Sequence, residues 1–230
     1  MWIWKRGIDK EIIYSYLIMN ELKEIKATFK SGKEFLTDNG LNIQYQLLDF
    51  WRWSVSDILS NATRGRFAEF IVGTAIDFNP EDIRDEWNAY DLLMDGKIKI
   101  EVKSAAYIQC WNQKQYSPIS FSIKSAKYWD PVTNIEDESK RHADLYVFCH
   151  LKHKDQNTID PLKMEQWDFY VLPTFRLDNY KRSQSSITLK SLQNMTNAKE
   201  YCALKEEILQ AYNEQIEISM VTGLNVFNRR

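Results

Sequence analysis

The spacing of apolar residues predicts helices in both terminal parts of the chain. Between residues 8 and 30, apolar side chains alternate with Asp, Glu and Lys at the spacing of an amphipathic helix; they are Ile12, Ile13, Tyr16, Leu17 and Met19. After a turn-like sequence at 37–40, the same criterion predicts helices over 45–59, 61–76 and 189–215. A packing role is the simplest interpretation of the first of these helices.

The middle of the chain has the pattern of β-strands. From Trp87 the periodicity changes, and residues 87–94 and 97–107 read as two strands joined by a tight turn at Asp95-Gly96. Three further apolar runs, dense enough to predict buried strands, lie at 119–123, 144–151 and 167–172. The polar segments 130–141 and 152–166 are predicted loops.

The register of the 87–107 hairpin decides which side chains share a face. A three-residue loop at 94–96, with Gly96 left-handed in a bulge, pairs Leu93 with Lys97 and sets Asp91 opposite Lys99. A two-residue Asp-Gly turn would instead set Asp91 opposite Ile100. We favour the bulged register, because the alternative buries a carboxylate on the apolar face without a partner.

In the bulged register the odd-numbered residues Asp91, Glu101 and Lys103 share one face. The opposite face carries an apolar row, made of Leu92, Ile98, Ile100 and Val102. Two neighbouring carboxylates repel each other unless a divalent cation lies between them. Mg²⁺, or Mn²⁺ as a substitute, takes oxygen ligands, and Asp91, Glu101 and the backbone carbonyl of Val102 could supply them.

Lys103 is predicted to orient or acidify the attacking water and to offset charge that develops on a phosphate, which makes this a hydrolytic site for phosphodiesters. An acid-x-Lys triplet alone is weak evidence, since others begin at Glu21, Glu24, Asp95 and Glu138. The triplet at Glu101 differs in lying on a predicted strand, beside Asp91 and after a helix that carries Glu69.

Residues 60–150 resemble the PD-(D/E)XK nuclease superfamily, whose pattern is a helix glutamate, a strand aspartate and a following (D/E)xK strand. The resemblance implies a restriction-endonuclease-like α/β fold, a three-layer α/β/α sandwich with a central mixed β-sheet. On this match Glu69 and Asp91 are metal ligands, while Glu101 and Lys103 form the closing pair of ligand and catalytic lysine. Tyr90 stands where the superfamily usually has proline.

The expected function is that of a Mg²⁺-dependent endonuclease that cuts DNA in restriction or repair. A catalytically silent nucleic-acid-binding member of the same fold is the alternative. DNA is the expected partner, and RNA stays open. Candidate nucleic-acid contacts lie after the metal ligands and at the start of the helix, although a solvated helix start and surface loops explain them as well; these residues are Arg64, Arg66, Gln109, Gln113 and Lys124.

Composition limits the domain number, the binding surface and the compartment that this interpretation allows. The 230 residues, 44% hydrophobic and 27% charged, fit one nuclease-like domain with helical parts at 1–60 and 190–230. A net charge of −2 and a pI near 6.0 lack the basic excess of many nucleic-acid binders, so positive charge must be confined to one cleft wall. Three scattered cysteines predict reduced thiols. No apolar run is long enough for a membrane span, so we expect a cytoplasmic protein, plausibly a homodimer.

Overall fold

The computed structural model describes residues 25–86, 88–130, 135–136 and 138–221. Its strands are β1 (Phe35–Asp38), β2 (Leu41–Gln46), β3 (Leu92–Met94), β4 (Ile98–Ala106), β5 (Ser120–Ser122), β6 (Trp129–Asp130), β7 (Ile135–Glu136), β8 (Leu145–Leu151), β9 (Trp167–Pro173) and β10 (Ser186–Thr188). Its helices are α1 (Leu47–Val55), α2 (Asn61–Ala75), α3 (Thr174–Asp178), α4 (Leu189–Gln193) and α5 (Leu204–Val221). Short 3-10 turns lie at Met164–Gln166 and Tyr201–Ala203.

A four-stranded mixed sheet forms the centre of the fold. Its order is β3–β4–β8–β9, in which β4 and β8 are parallel and the two outer pairs are antiparallel. Every residue of β8 is buried, because the strand has neighbours on both sides and cores on both faces. The prediction of a mixed α/β fold with a mixed central sheet is confirmed.

The two faces of the sheet are covered differently. On one face, α2 and α5 pack against the even-numbered residues of β4, with Ile71 and Ile208 in the core they share. On the other face, the two-stranded ribbon β5–β10 and the short helices α3 and α4 pack through Phe121 and Ile187. The Glu101 side chain, near the start of β4, lies on this second face and borders an open cleft.

Most predicted elements are confirmed. Strands β5, β8 and β9 lie at the predicted runs 119–123, 144–151 and 167–172, each within one or two residues of the predicted bounds, and α2 ends at Ala75, one residue before the predicted end. The predicted helix at 189–215 is divided into α4 and α5. Of the predicted helix at 45–59 only Leu47–Val55 is helical, since β2 extends to Gln46 and the helix ends before Ser56. Residues 25–30 carry no helix, whereas 8–24 lie outside the described residues. In the predicted loop 130–141, β6 and β7 pair briefly.

The turn between β3 and β4 corrects the predicted register. Asp95 and Gly96 both have positive φ, at 52° and 67°, and the N–H of Lys97 donates to the Met94 carbonyl at 3.1 Å. Leu93 therefore pairs with Lys99, not with Lys97, and the predicted pairing of Asp91 with Lys99 is wrong. The shift is by two residues, so the alternation of faces along β4 is kept.

In the part of the chain that the structure describes, no helix is long and apolar enough to cross a membrane.

Candidate active site

Two carboxylates meet at the start of the hairpin. The N–H of Asp91 donates to the Ile100 carbonyl at 3.0 Å, and the N–H of Val102 donates to Asp91 Oδ2 at 2.7 Å. These bonds fix Asp91 beside Glu101, which lies between those two residues of β4. The Asp91 and Glu101 side chains are 17% and 20% exposed.

Electrostatics at this acid pair favour a bound cation. Burial raises the pKa of the Asp91 carboxyl, and the negative charge of Glu101 raises it further. The Val102 N–H and the positive charges of Lys103 and Arg84 act in the opposite direction. A divalent cation between the two carboxylates would remove their mutual repulsion.

Lys103 belongs to the same group of side chains. Its ammonium forms an ion pair with Glu101 Oε1, and both side chains are partly buried. The structure thus brings together the three residues that the sequence pattern predicted for the second face of β4. Because the ammonium lies next to the acid pair, it can reach a phosphate held there.

Glu69 on α2 is held by an arginine that sequence reasoning missed. The guanidinium of Arg84 donates to both carboxylate oxygens of Glu69, with Nη2 at 3.2 Å from Oε1. The same guanidinium lies 3.9 Å from Asp91 Oδ1 and 3.8 Å from Glu86 Oε1. Arg84 therefore occupies the space between the helix acid and the hairpin acid, where the prediction placed a metal ion.

The acid pair opens into a cleft of about 340 Å³. Asp91, Glu101 and Tyr146 belong to its lining, and burial raises the pKa of the Tyr146 phenol. The lining also includes several basic residues, namely Lys124, Lys127, Lys140 and Arg141. Arg141 is buried and donates to the Ile123 carbonyl at 2.9 Å, so it stabilises the fold. Lys124 is exposed and can meet a ligand in the cleft.

Two of the residues predicted to contact nucleic acid are buried and bonded within the protein. Arg64 and Gln109 are both buried, and Arg64 Nη1 donates to Gln109 Oε1 at 3.1 Å. Arg64 also donates to Asn61 and to the Leu59 carbonyl. Burial of both side chains argues against the predicted contact with nucleic acid, because a phosphate or base could reach neither without rearrangement.

The remaining two predicted contacts differ in exposure. Arg66 is exposed and forms an ion pair with Glu86 at 2.7 Å. Gln113 accepts from the N–H of Gln109 at 2.7 Å and donates to the Tyr107 carbonyl at 3.1 Å. Arg66 can therefore meet a polynucleotide, whereas Gln113 mainly shapes its own loop.

The two hairpin carboxylates are oxygen donors of the kind that Mg²⁺ takes. Among the residues that the structure describes, no group of three or more His, Cys, Asp or Glu side chains is arranged to hold a metal ion. Asp91 and Glu101 are two adjacent carboxylates, and Mg²⁺ commonly uses one or two carboxylates, with waters and substrate phosphate as its other ligands. Ligation by the Val102 carbonyl stays a prediction.

Two acids that could hold a metal ion, beside a lysine that could stabilise negative charge on a phosphate, suit the cleavage of phosphodiesters. The family model described as Bacteriophage T4 endonuclease IV matches residues 14–191. The match covers more than half of the chain, so the chain belongs to this family, and its predicted class, an endonuclease, is confirmed. No curated protein is similar enough to the chain to count as a match.

Proposed function

We propose that this chain is a Mg²⁺-dependent endodeoxyribonuclease whose catalytic residues are Asp91, Glu101 and Lys103. The observation that carries the proposal is the convergence of the three side chains, of which Asp91 and Glu101 line a cleft that several lysines also line. Membership of an endonuclease family supports DNA as the substrate. The same residues support the restriction-endonuclease-like three-layer fold of the PD-(D/E)XK superfamily.

In this proposal Asp91 and Glu101 would hold Mg²⁺, which supplies Lewis-acid activation of the phosphate and of a water when it is bound. The backbone N–H of Val102 keeps one oxygen of Asp91 occupied and so orients the other toward the cleft. Lys103 stabilises negative charge on the phosphate oxygens. Lys124 attracts the polynucleotide backbone, because it is exposed and lines the same cleft as Asp91 and Glu101.

Glu69 has a different role in this proposal from that of Asp91 and Glu101. Both of its carboxylate oxygens accept bonds from Arg84, so Glu69 can bind a metal only after Arg84 moves away. We therefore assign Glu69 as a positioning residue that acts through Arg84. Its direct ligation of the metal stays a prediction.

The second candidate function is a catalytically silent nucleic-acid-binding protein. One observation favours it: the Arg84 guanidinium already supplies a positive charge beside Asp91 and Glu69. A silent member would bind polynucleotides and would cut neither DNA nor RNA with Mg²⁺ or Mn²⁺.

A single-turnover cleavage assay with matched variants tests the leading proposal. We expect Glu101→Gln and Lys103→Met each to lower the Mg²⁺-dependent cleavage rate about 100-fold, because the first removes a carboxylate that would hold Mg²⁺ and the second removes positive charge that would act on the reacting phosphate. The controls are Asp168→Asn and Lys152→Met, which break a lysine–carboxylate pair of 2.7 Å outside the cleft. Wild-type rates in Glu101→Gln would overturn the proposal, provided that the controls are also unchanged.

A further inference from the structure

A second opening, of about 520 Å³, lies beyond the far end of β4 from the acid pair. Its lining is mostly polar and includes Gln113, Lys114, Tyr116, Lys154, Asp155 and Asn157. The neighbouring Tyr107 ring contacts His150 with a centroid distance of 4.8 Å. On β8 the side chain of His150 shares a face of the sheet with those of Phe148 and Tyr146, which lie two and four residues earlier. The opening and the catalytic cleft therefore lie on the same face of the sheet.

The loop that borders this opening holds one aromatic ring in a fixed position at the surface. Gln113 braces the loop, since its amide donates to the Tyr107 carbonyl and to the Ser117 hydroxyl at 3.0 Å. The Tyr116 hydroxyl donates to the Lys154 carbonyl at 2.9 Å, yet Tyr116 remains 51% exposed. A ring that is both anchored and exposed is prepared for stacking, because little freedom is lost when a flat ligand covers it.

Positive charge lies next to the ring. Lys154 Nζ is 4.3 Å from the centroid of Tyr107 and 5.7 Å from that of Tyr116, and Lys114 lines the same opening. The one acid in the lining, Asp155, accepts from the Asn157 N–H and the Thr158 hydroxyl, each at 2.9 Å. Anchored aromatic, cation and amide groups together are the features that proteins use to bind a base with its phosphate.

We propose that this opening, the Tyr116 subsite, binds a nucleotide of the polynucleotide strand that is cut in the cleft. The base stacks on Tyr116, and the phosphate meets Lys154 and Lys114. The inference rests on the proposed function, because it takes the polynucleotide as the shared ligand. From Glu101 to Tyr107 the chain advances six residues, or about 20 Å along a strand. That distance corresponds to roughly six phosphates spaced as in one strand of a duplex.

Binding of a labelled 15-nucleotide single-stranded DNA, measured by fluorescence anisotropy in EDTA, tests the subsite without any cutting. We expect Tyr116→Ala to weaken binding at least about fivefold, which corresponds to about 1 kcal/mol of stacking. Tyr116→Phe keeps the ring and should bind within about twofold of wild type. The matched control is Tyr45→Ala, because that tyrosine is 53% exposed and lies on β2, away from the subsite lining.

Three results would overturn the Tyr116 subsite: wild-type affinity in Tyr116→Ala, an equal loss in Tyr45→Ala, or wild-type protein that binds no oligonucleotide. A Phe variant as weak as the Ala variant would also overturn stacking, since the lost hydroxyl bond to the Lys154 carbonyl would then explain the effect. None of these outcomes decides the proposed function. The cleavage rates of Glu101→Gln and Lys103→Met test that function separately.

Discussion

Replacement of Arg84 by glutamine should strengthen metal binding at the acid pair. Arg84 Nη2 lies 3.9 Å from Asp91 Oδ1, and unit charges at that separation interact by about 4 kcal/mol at an effective dielectric constant of about 20. Because 38% of the Arg84 side chain is exposed, solvent screening reduces this to about 1 kcal/mol. Removal of the guanidinium also frees both oxygens of Glu69. The expected gain in affinity for Mg²⁺ is therefore about fivefold.

Isothermal titration calorimetry with Mg²⁺ and with Mn²⁺ measures this gain directly, without substrate. Arg66→Gln is the control, since Arg66 bonds Glu86 at 2.7 Å and is also exposed, but no ion pair links it to Asp91 or Glu69. The control should leave the affinity unchanged. An unchanged or weaker metal affinity in Arg84→Gln would refute the reasoning that Arg84 competes with the metal for these acids.

Three further predictions concern stability, measured by thermal or urea unfolding. Burial lowers the pKa of His150 to about 4 from 6.5, so the stability it contributes is fully present above pH 6.5 and is lost as the pH falls toward 4. That loss amounts to about 3 kcal/mol of unfolding free energy. His150→Phe should therefore make the free energy of unfolding less dependent on pH between 6.5 and 4. The same pH dependence as in the wild type would contradict this. Arg64→Ala should lower the free energy of unfolding by about 2 kcal/mol, because it leaves buried Gln109 without a donor, and should not change DNA affinity. A selective loss of DNA affinity would restore the nucleic-acid role of Arg64. Gly96→Ala should cost about 1 kcal/mol, because φ is +67° there, whereas Gly65→Ala in α2 should be neutral or stabilising. Equal effects of the two glycine variants would refute the argument from φ.

The sheet could be predicted from the sequence because its signals are local. The run 144–151 is densely apolar, and the strand it forms, Leu145–Leu151, is buried at every residue. Asp95-Gly96 marks the turn, and a three-residue loop, at 94–96 as predicted or at 95–97 as observed, keeps Asp91 on the same face as Glu101 and Lys103. The exact register was not predictable, because a shift by two residues leaves the apolar face unchanged.

Contacts between distant segments were beyond sequence reasoning. Arg84 meets Glu69 across 15 residues of chain, and nothing in the irregular segment that carries Arg84 indicates that contact. Arg64 and Gln109 lie 45 residues apart, and each is polar enough to suggest exposure when it is considered alone. These features depend on how elements pack, which periodicity does not encode.

The most direct test of the account is the cleavage of supercoiled circular DNA by wild-type protein and by Asp91→Asn. Wild-type protein should nick or linearise the DNA with Mg²⁺ or Mn²⁺ and should be inactive in EDTA. Asp91→Asn should cut at least about 100-fold more slowly, because it removes one of the two carboxylates that would hold the metal. Metal-dependent cutting by Asp91→Asn at the wild-type rate would contradict the central claim.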